Sequence, residues 1–160
     1  MSEYLFGRAC VGDLLQVSGP FGTFGLRDET ASDIIFIATG TGIAPILSIL
    51  GFHQNALESK SVSVYWGGRH SNDIYAPIEK IPCVDSFRPV LSREHKDSYL
   101  AGYVQDAVLN DVANFSNTSV YACGSPHMIK DCRDALVSKG LESGRFYSDA
   151  FVESSKESEL

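Results

Sequence analysis

A short apolar run that leads directly into a glycine-rich turn constrains this chain more than any other feature. The run is DIIFIA over residues 33–38, and TGTG follows over residues 39–42. Because its apolar residues do not alternate with polar ones, the run predicts a strand covered on both faces, as in a parallel sheet. Apolar residues with the spacing of one helix face come next, namely Ile43, Ile46, Leu47 and Leu50.

The same alternation of strands and helices continues along the chain. Further strands are predicted over residues 61–66, 87–92, 119–123 and 145–151. Helices are predicted over residues 102–110 and from Ser125-Pro126 to Lys139-Gly140, where serine and proline begin the helix and glycine ends it. This order predicts an α/β fold with a doubly wound, five-stranded parallel sheet.

The first 30 residues follow a different pattern. Residues 12–18 (GDLLQVS) alternate like a strand with one wet face, residues 19–22 (GPFG) indicate a turn, and residues 23–26 could form a partner strand. A hairpin alone is marginal in water, so we interpret residues 1–30 as the remnant of an antiparallel β-barrel and expect the chain to be a fragment. The α/β domain is predicted over residues 31–152 and a flexible tail over residues 153–160.

The charge and hydropathy of the sequence argue against several kinds of binding partner and cellular location. The net charge is −7 without a cluster of Lys and Arg, which argues against a nucleic-acid partner. No apolar run reaches the roughly 20 residues of a membrane span, and residues 1–10 do not resemble a secretory signal. The four cysteines are scattered without ligand spacing, so we expect no metal site and a cytoplasmic location.

Two glycine turns carry the candidate chemistry, at residues 39–45 (TGTGIAP) and 123–126 (CGSP). Each follows a predicted strand and opens a helix, where glycine permits close approach of a ligand and the helix N-terminus attracts phosphate. If the first and fourth strands are neighbours, both turns line one crevice suited to a dinucleotide. Each turn alone is a weak signal, because the first lacks the third glycine of the usual fingerprint and either could be a plain strand-to-helix turn.

Taken together, six segments resemble the ferredoxin–NADP reductase superfamily over almost the whole chain. Within that superfamily, YACGSP and FYSDAFV look most similar to NADH-dependent reductases of the 3,6-dideoxyhexose pathway, which serve a dehydrase acting on a CDP-6-deoxy sugar. Flavin reductases and oxygenase reductase components have similar endings. The segments are residues 1–6 (MSEYLF), 12–22 (GDLLQVSGPFG), 39–45 (TGTGIAP), 64–69 (VYWGGR), 121–128 (YACGSPHM) and 146–152 (FYSDAFV).

The resemblance implies an NAD(P)H oxidoreductase in which a flavin-binding barrel precedes a parallel sheet of strand order 3-2-1-4-5. A hydride would pass from NAD(P)H to FAD, and electrons would pass on to a partner enzyme or to an iron–sulfur centre in a domain outside this chain. The pyrophosphate would lie at Gly40, Thr41, Gly42 and Ile43. The nicotinamide would lie against Cys123 and Gly124, and Ser125 and Pro126, which follow in the same turn, are further candidate cofactor-binding residues.

The resemblance also implies that Asp149 acts near the flavin in catalysis or gating, that Phe151 lies near the flavin ring, and that Ser2 lies at the flavin pyrophosphate. Together with Cys123, Asp149 and Phe151 are the candidate catalytic residues. Phe151 could instead be a buried residue at a strand end. Because the family's other flavin-binding segments would precede Met1, we expect the chain alone to bind FAD poorly and to be inactive by itself.

Specificity for NADH or NADPH depends on the residues that contact the adenosine ribose, near the ends of the second and third strands. The candidates there are Gly67, Arg69, Ser92 and Arg93. Ser92-Arg93 resembles the pair that takes the 2′-phosphate in NADPH-using relatives, and arginine suits phosphate. Glu94 follows directly, and an acid there disfavours a phosphate, so NADH is favoured and NADPH stays open. Alternatively, the loop that contains Ser92 and Arg93 is only a solvent-exposed charged turn without a role in cofactor binding.

Three other functions stay open. They are a free flavin reductase without an iron–sulfur partner, a non-catalytic NAD(H)-binding module and a generic flavodoxin-like domain. Residues aimed at a flavin, such as Cys123 and Asp149, argue against the second. The barrel-like residues 1–30 argue against the third.

Overall fold

Six parallel strands form the centre of the fold in the computed structural model, which describes residues 2–19, 21–27 and 30–150. Their order across the sheet is β4-β3-β2-β1-β5-β6. The predicted order of five strands is therefore present, with β4 added as a two-residue strand at the edge that the sequence did not predict. The strands are β1 (Asp33–Thr39), β2 (Ser61–Gly68), β3 (Ser86–Leu91), β4 (Leu100–Ala101), β5 (Thr118–Gly124) and β6 (Phe146–Ala150).

Helices cover both faces of the sheet, as the apolar β1 run predicts. Alternate β1 residues divide between two cores, with Phe36 packed on the α2 face and Ile37 packed on the α4 and α5 face. A membrane-spanning helix is absent from the described ranges, where no helix combines the necessary length and apolar composition. The helices are α1 (Ser2–Gly7), α2 (Ile43–Phe52), α3 (Gln54–Leu57), α4 (Val104–Asp111) and α5 (Pro126–Ser138).

Both predicted ends of α5 are confirmed. The Ser125 hydroxyl accepts a hydrogen bond from the Met128 N–H at 3.2 Å, which caps the first turn. At the other end Gly140 has a φ of +103°, and the N–H of Leu141 donates to the Leu136 carbonyl at 3.0 Å. Glycine adopts this left-handed conformation without strain, so the helix stops there and the chain turns towards β6.

The predicted hairpin of the first 30 residues is wrong for the part of it that the structure describes. Residues 2–19 and 21–27 contain no strand; they form α1 and irregular backbone, and Pro20 lies outside the described residues. Several apolar side chains of the predicted hairpin, Leu14 and Val17 among them, are exposed. A two-stranded hairpin needs a third strand or a helix to cover its apolar face, and no described element covers these side chains.

The end of this segment contacts the sheet. The Phe24 ring packs edge-on against Tyr121 with 6.3 Å between centroids, and the Arg27 N–H donates to the Tyr121 hydroxyl at 3.1 Å. Tyr121 also stacks on Tyr147 of β6 at 4.9 Å. Aromatic contacts of this kind attach residues 24–27 to the α2 face near β5 and β6. The predicted tail, residues 153–160, lies outside the described residues.

Candidate functional site

A cleft of about 880 Å³ lies at the carboxyl ends of β1, β2, β3 and β5. This volume is near the upper end of the roughly 300–1,000 Å³ usual for cofactor sites. Because β1 pairs with β2 on one side and with β5 on the other, the cleft lies at the point where strand order reverses. The cleft is lined by Thr39, Gly40, Thr41, Gly67, Gly68, Arg69, Asp73, Ser92, Gly102, Tyr103, Val104, Gln105, Gly124, Ser125, His127, Met128 and Asp131.

The two glycine turns pack directly against each other at the floor of the cleft. A Cβ atom on Gly42 would collide with the carbonyl group of Cys123. A Cβ atom on Gly124 would collide with the Thr39 hydroxyl and would lie 2.8 Å from the Met128 methyl carbon. Gly124 also has a φ of +153°, which L side chains rarely adopt. Glycine at both positions therefore allows the turns after β1 and β5 to meet.

Trp66, the single tryptophan of the chain, is hydrogen-bonded to the glycine turn that follows β1. Gly40 has a φ of +54°, and its carbonyl accepts a hydrogen bond from the Trp66 indole N–H at 3.0 Å. Trp66 is fully buried and packs edge-on against Tyr75 with 5.0 Å between centroids. Because a buried indole N–H needs a partner, this hydrogen bond fixes the turn to the end of β2.

The end of β2 is shaped by close contact with α4. A Cβ atom on Gly67 would lie 2.9 Å from a Val104 methyl group and 3.1 Å from the Thr39 methyl group. Glycine therefore lets the first turn of α4 approach β1 and β2. That approach brings Tyr103 and Gln105 into the cleft wall, and 63% of the Tyr103 side chain stays exposed there.

Two acids organise the loops after β2 and β3. Asp73 accepts N–H hydrogen bonds from Arg69 at 2.8 Å and His70 at 2.9 Å, and these bonds, His70 first, lower the pKa of its carboxyl. Glu94 accepts from the Ser71 N–H at 2.6 Å and from its hydroxyl at 2.9 Å, which lowers the Glu94 pKa. Asp73 lines the cleft and Glu94 does not.

The structure brings seven of the predicted cofactor-binding residues together in the cleft wall. Gly42 and Ile43 are buried beneath it, whereas Arg93 and Pro126 are exposed outside the lining. The side chain of Ser2 and the whole of Phe151 lie outside the described residues. The seven are Gly40, Thr41, Gly67, Arg69, Ser92, Gly124 and Ser125.

Cys123 and Asp149 lie opposite each other where β5 pairs with β6. The Cys123 side chain is fully buried on the α2 face, and Asp149 is exposed. Burial, followed by the negative charge of Asp149, raises the pKa of the Cys123 thiol to about 11. At neutral pH the thiol is therefore protonated, which suits packing and positioning better than nucleophilic attack.

Several cleft residues were not singled out from the sequence. Asp73 and the residues at the start of α4 reach the cleft through loops whose paths the patterns do not specify. His127 and Asp131 could have been found, because their i,i+4 spacing places both on one face of the predicted helix. The His127 Nε2 atom lies 3.3 Å from an Asp131 carboxylate oxygen at the cleft wall.

Sequence comparison finds reductases among the proteins similar to this chain. The chain is 35% identical over 159 residues to the CDP-6-deoxy-L-threo-D-glycero-4-hexulose-3-dehydrase reductase of Yersinia pestis, covering 96% of this chain and 48% of that protein. It is 34% identical over 142 residues to a probable flavin reductase of Photobacterium leiognathi, covering 84% of this chain and 61% of that protein. The chain thus spans about half the length of the first of these relatives and somewhat more of the second.

A solved reductase structure and a protein-family model also match this chain. The crystal structure of the Amycolatopsis cytochrome P450 reductase matches with a TM-score of 0.83 and 28% identity over 94% of this chain and 47% of that one. The family model of the oxidoreductase NAD-binding domain matches residues 36–134, which include β2, β3, β5, most of β1 and α5, and both glycine turns. The chain belongs to the oxidoreductase NAD-binding domain family.

Proposed function

We propose that this chain is the nicotinamide-nucleotide module of a flavoprotein reductase, which passes a hydride from NAD(P)H to FAD and electrons on to an iron–sulfur centre or a partner enzyme. The observation that carries the proposal is the meeting of the Gly42 and Gly124 turns at one cleft, where strand order reverses and α5 begins. Backbone without side chains lets a dinucleotide approach closely, and the start of α5 favours its phosphates.

Each part of the cleft has a proposed role. Gly40, Thr41 and the start of α5 at Ser125 hold the pyrophosphate, where N–H groups and the helix dipole offset its charge. The nicotinamide ring lies against Cys123 and Gly124 in this proposal. Cys123 acts as a positioning residue, since its carbonyl group packs against Gly42 and its protonated thiol is buried in the core on the α2 face. Bound FAD would supply the hydride acceptor, and Ser2, Asp149 and Phe151 remain its proposed contacts in this chain.

The acceptor we favour is a dehydrase that acts on a CDP-6-deoxy sugar. Support comes from the likeness to the Yersinia pestis reductase, whose name states that role. A free flavin reductase is the second candidate, supported by the likeness to the Photobacterium leiognathi protein. A non-catalytic NAD(H)-binding module is the third, and it would bind the nucleotide without supporting hydride transfer to a flavin. We propose a cytoplasmic location for all three candidates, because the cysteines are scattered and free, as is usual in a reducing compartment.

Trp66 offers a direct test of nucleotide binding. Its indole donates a hydrogen bond to the Gly40 carbonyl, so a ligand that contacts this turn is expected to change the tryptophan emission. We expect titration with NADH or NADPH to quench Trp66 emission saturably, with energy transfer to the reduced nicotinamide. Adenosine alone, which lacks the pyrophosphate, is the control and is expected to bind much more weakly. Absence of saturable binding of either dinucleotide up to millimolar concentration would contradict the proposal.

A further inference from the structure

The charged side chains of the cleft leave it with an excess of acid. Among the described residues that line it, Arg69 is positive, and Asp73 and Asp131 carry carboxylates. Hydrogen bonds from the backbone N–H groups of His70 and Arg69 lower the pKa of the Asp73 carboxyl, so this group is ionised at neutral pH. With one arginine and two aspartates, the lining has a net charge of −1 as long as His127 is neutral. The diphosphate of a dinucleotide is a dianion and would add to this excess.

His127 is placed where it can contact a ligand and take up a proton. It lies in the first turn of α5 at the cleft wall, and 87% of its side chain is exposed. Its Nε2 atom lies 3.3 Å from an Asp131 carboxylate oxygen, one turn further along the helix. Histidine is the side chain that ordinarily changes its charge between about pH 5 and pH 8. Among the described lining residues, His127 is therefore the one that can add a positive charge near neutral pH.

Opposing effects act on a positive charge at His127 in the free protein. The start of α5 disfavours a cation because the helix dipole is positive there, whereas Asp131 favours it, although an exposed ion pair contributes little. Lys130 is paired with Asp134 at 2.8 Å, and the α4 residues that line the cleft are of neutral types, with Asp106 outside the lining. A bound diphosphate would attract the imidazolium directly and shield it from water, so the proton would be held mainly in the complex.

Building on the proposed function, we propose that His127 binds the diphosphate of NADH as an imidazolium, so that the protein takes up a proton from the solvent when the dinucleotide binds. Asp131 orients the imidazole through its contact with Nε2. The proton returns to the solvent when the dinucleotide leaves. The affinity for NADH therefore falls as the pH rises through the neutral range.

Calorimetric titration of the complete chain with NADH measures the proton uptake. The titration is run at neutral pH in one buffer of low and one of high ionisation enthalpy, because a buffer that supplies the proton adds its own heat. We expect roughly half a proton or more to be taken up per NADH bound. With Trp66 emission as the signal, we expect the dissociation constant of NADH to rise about tenfold from pH 6 to pH 8.

Substitutions at His127 separate its charge from its contacts. His127→Gln keeps a hydrogen-bonding side chain that is always neutral, and we expect it to lose the proton uptake and to bind NADH about tenfold more weakly than the wild type at pH 6. His127→Lys is positive throughout this range and is expected to bind NADH without proton uptake and with the same affinity at both pH values. His53→Gln is the control, because His53 follows α2 outside the cleft lining, and it should keep the wild-type uptake.

The outcomes separate this inference from the proposed function. If NADH binds to the wild type without proton uptake, or if His127→Gln retains the uptake, the inference is overturned and the proposed function stands. Loss of the uptake in His53→Gln would also overturn the inference. If the wild type does not bind NADH, both fail. Circular dichroism melts check folding, and the exposure of His127 leads us to expect wild-type melting temperatures for its variants.

Discussion

At the scale of single residues, the site depends on positions where a side chain has no room. Gly42 faces the Cys123 carbonyl group and Gly124 faces the Thr39 hydroxyl, so the floor of the cleft is backbone packed on backbone. A flexible neighbouring side chain could move away from an added methyl group, but a carbonyl group in a central strand is held by the sheet. Substitution at Gly42 is therefore more costly than substitution at a glycine with open space around it.

Gly42→Ala is expected to destabilise the protein by about 1–3 kcal/mol, the usual cost of overpacking, and to weaken NADH binding. Urea unfolding followed by circular dichroism measures the first effect, and Trp66 emission measures the second. The matched control is Gly51→Ala within α2, where no atom lies within 4 Å of the added Cβ. That change is expected to stabilise by roughly 0.5–1 kcal/mol, because alanine favours the helix. Equal stability of the two variants would contradict the argument.

The sequence predicted the two turns but only part of the cleft wall. Gly40 and Gly124 could be predicted because each follows a recognisable buried strand and precedes a helix. Asp73 could not, because its place depends on a three-residue turn that brings it back onto Gly68. Glu94, the acid that the sequence placed near the ribose, accepts a hydrogen bond from the Ser71 N–H and does not line the cleft. Short-range patterns locate strand ends, whereas contacts between successive loops depend on the folded path of the chain.

At the scale of elements, a continuous apolar run was sufficient to predict a strand, whereas alternation of polar and apolar residues alone was not. Strands β1, β2 and β5 extend one or two residues beyond their predicted ends, because residues such as Thr39, Gly67 and Gly124 continue the backbone pairing past the apolar runs. Strand β4 has only two residues and therefore no detectable pattern. The hairpin over residues 12–26 showed alternation, but alternation produces a strand only where a neighbouring strand and a covering layer exist.

The cap of α5 links helix stability to the proposed phosphate site. Ser125→Ala removes the acceptor for the Met128 N–H and is expected to cost about 1 kcal/mol. It is also expected to weaken NADH binding, because the first turn of α5 lines the cleft. The control is Ser138→Ala at the other end of α5, where the hydroxyl donates to the Ala135 carbonyl at 2.7 Å. We expect that variant to bind NADH like the wild type, and loss of binding in both would show a general helix effect instead.

At the scale of the whole molecule, two covered sheet faces bury ionisable groups in apolar surroundings. Cys123 lies in the core on the α2 face and Cys132 in the core on the α4 and α5 face. Burial, then the charges of Asp131 and Asp106, raises the pKa of Cys132 to about 12. Burial, then Asp149, raises that of Cys123 to about 11, and burial of Tyr65 beside Asp111 raises its pKa as well. Because these groups are buried in the two cores, the free energy of unfolding is expected to depend on pH at alkaline values.

The sign of that dependence follows from proton binding. An exposed thiol in the unfolded chain loses its proton near the ordinary pKa of about 9, whereas the folded protein keeps the Cys123 proton up to about 11. The folded state therefore binds more protons between these values. The stabilisation is complete below about pH 9 and is lost as the pH rises towards the folded pKa values.

We therefore expect the free energy of unfolding, measured in urea, to be constant near neutral pH and to fall steadily from pH 9 upwards. Each buried thiol contributes a slope that approaches about 1.4 kcal/mol per pH unit. Cys132→Ala is expected to reduce the slope by one thiol's share, although the variant is less stable at neutral pH because it leaves a small cavity. Cys10→Ala is the control, since Cys10 is exposed and its removal should leave the slope unchanged. The same slope in the Cys132 variant and the wild type would show that the alkaline loss arises elsewhere.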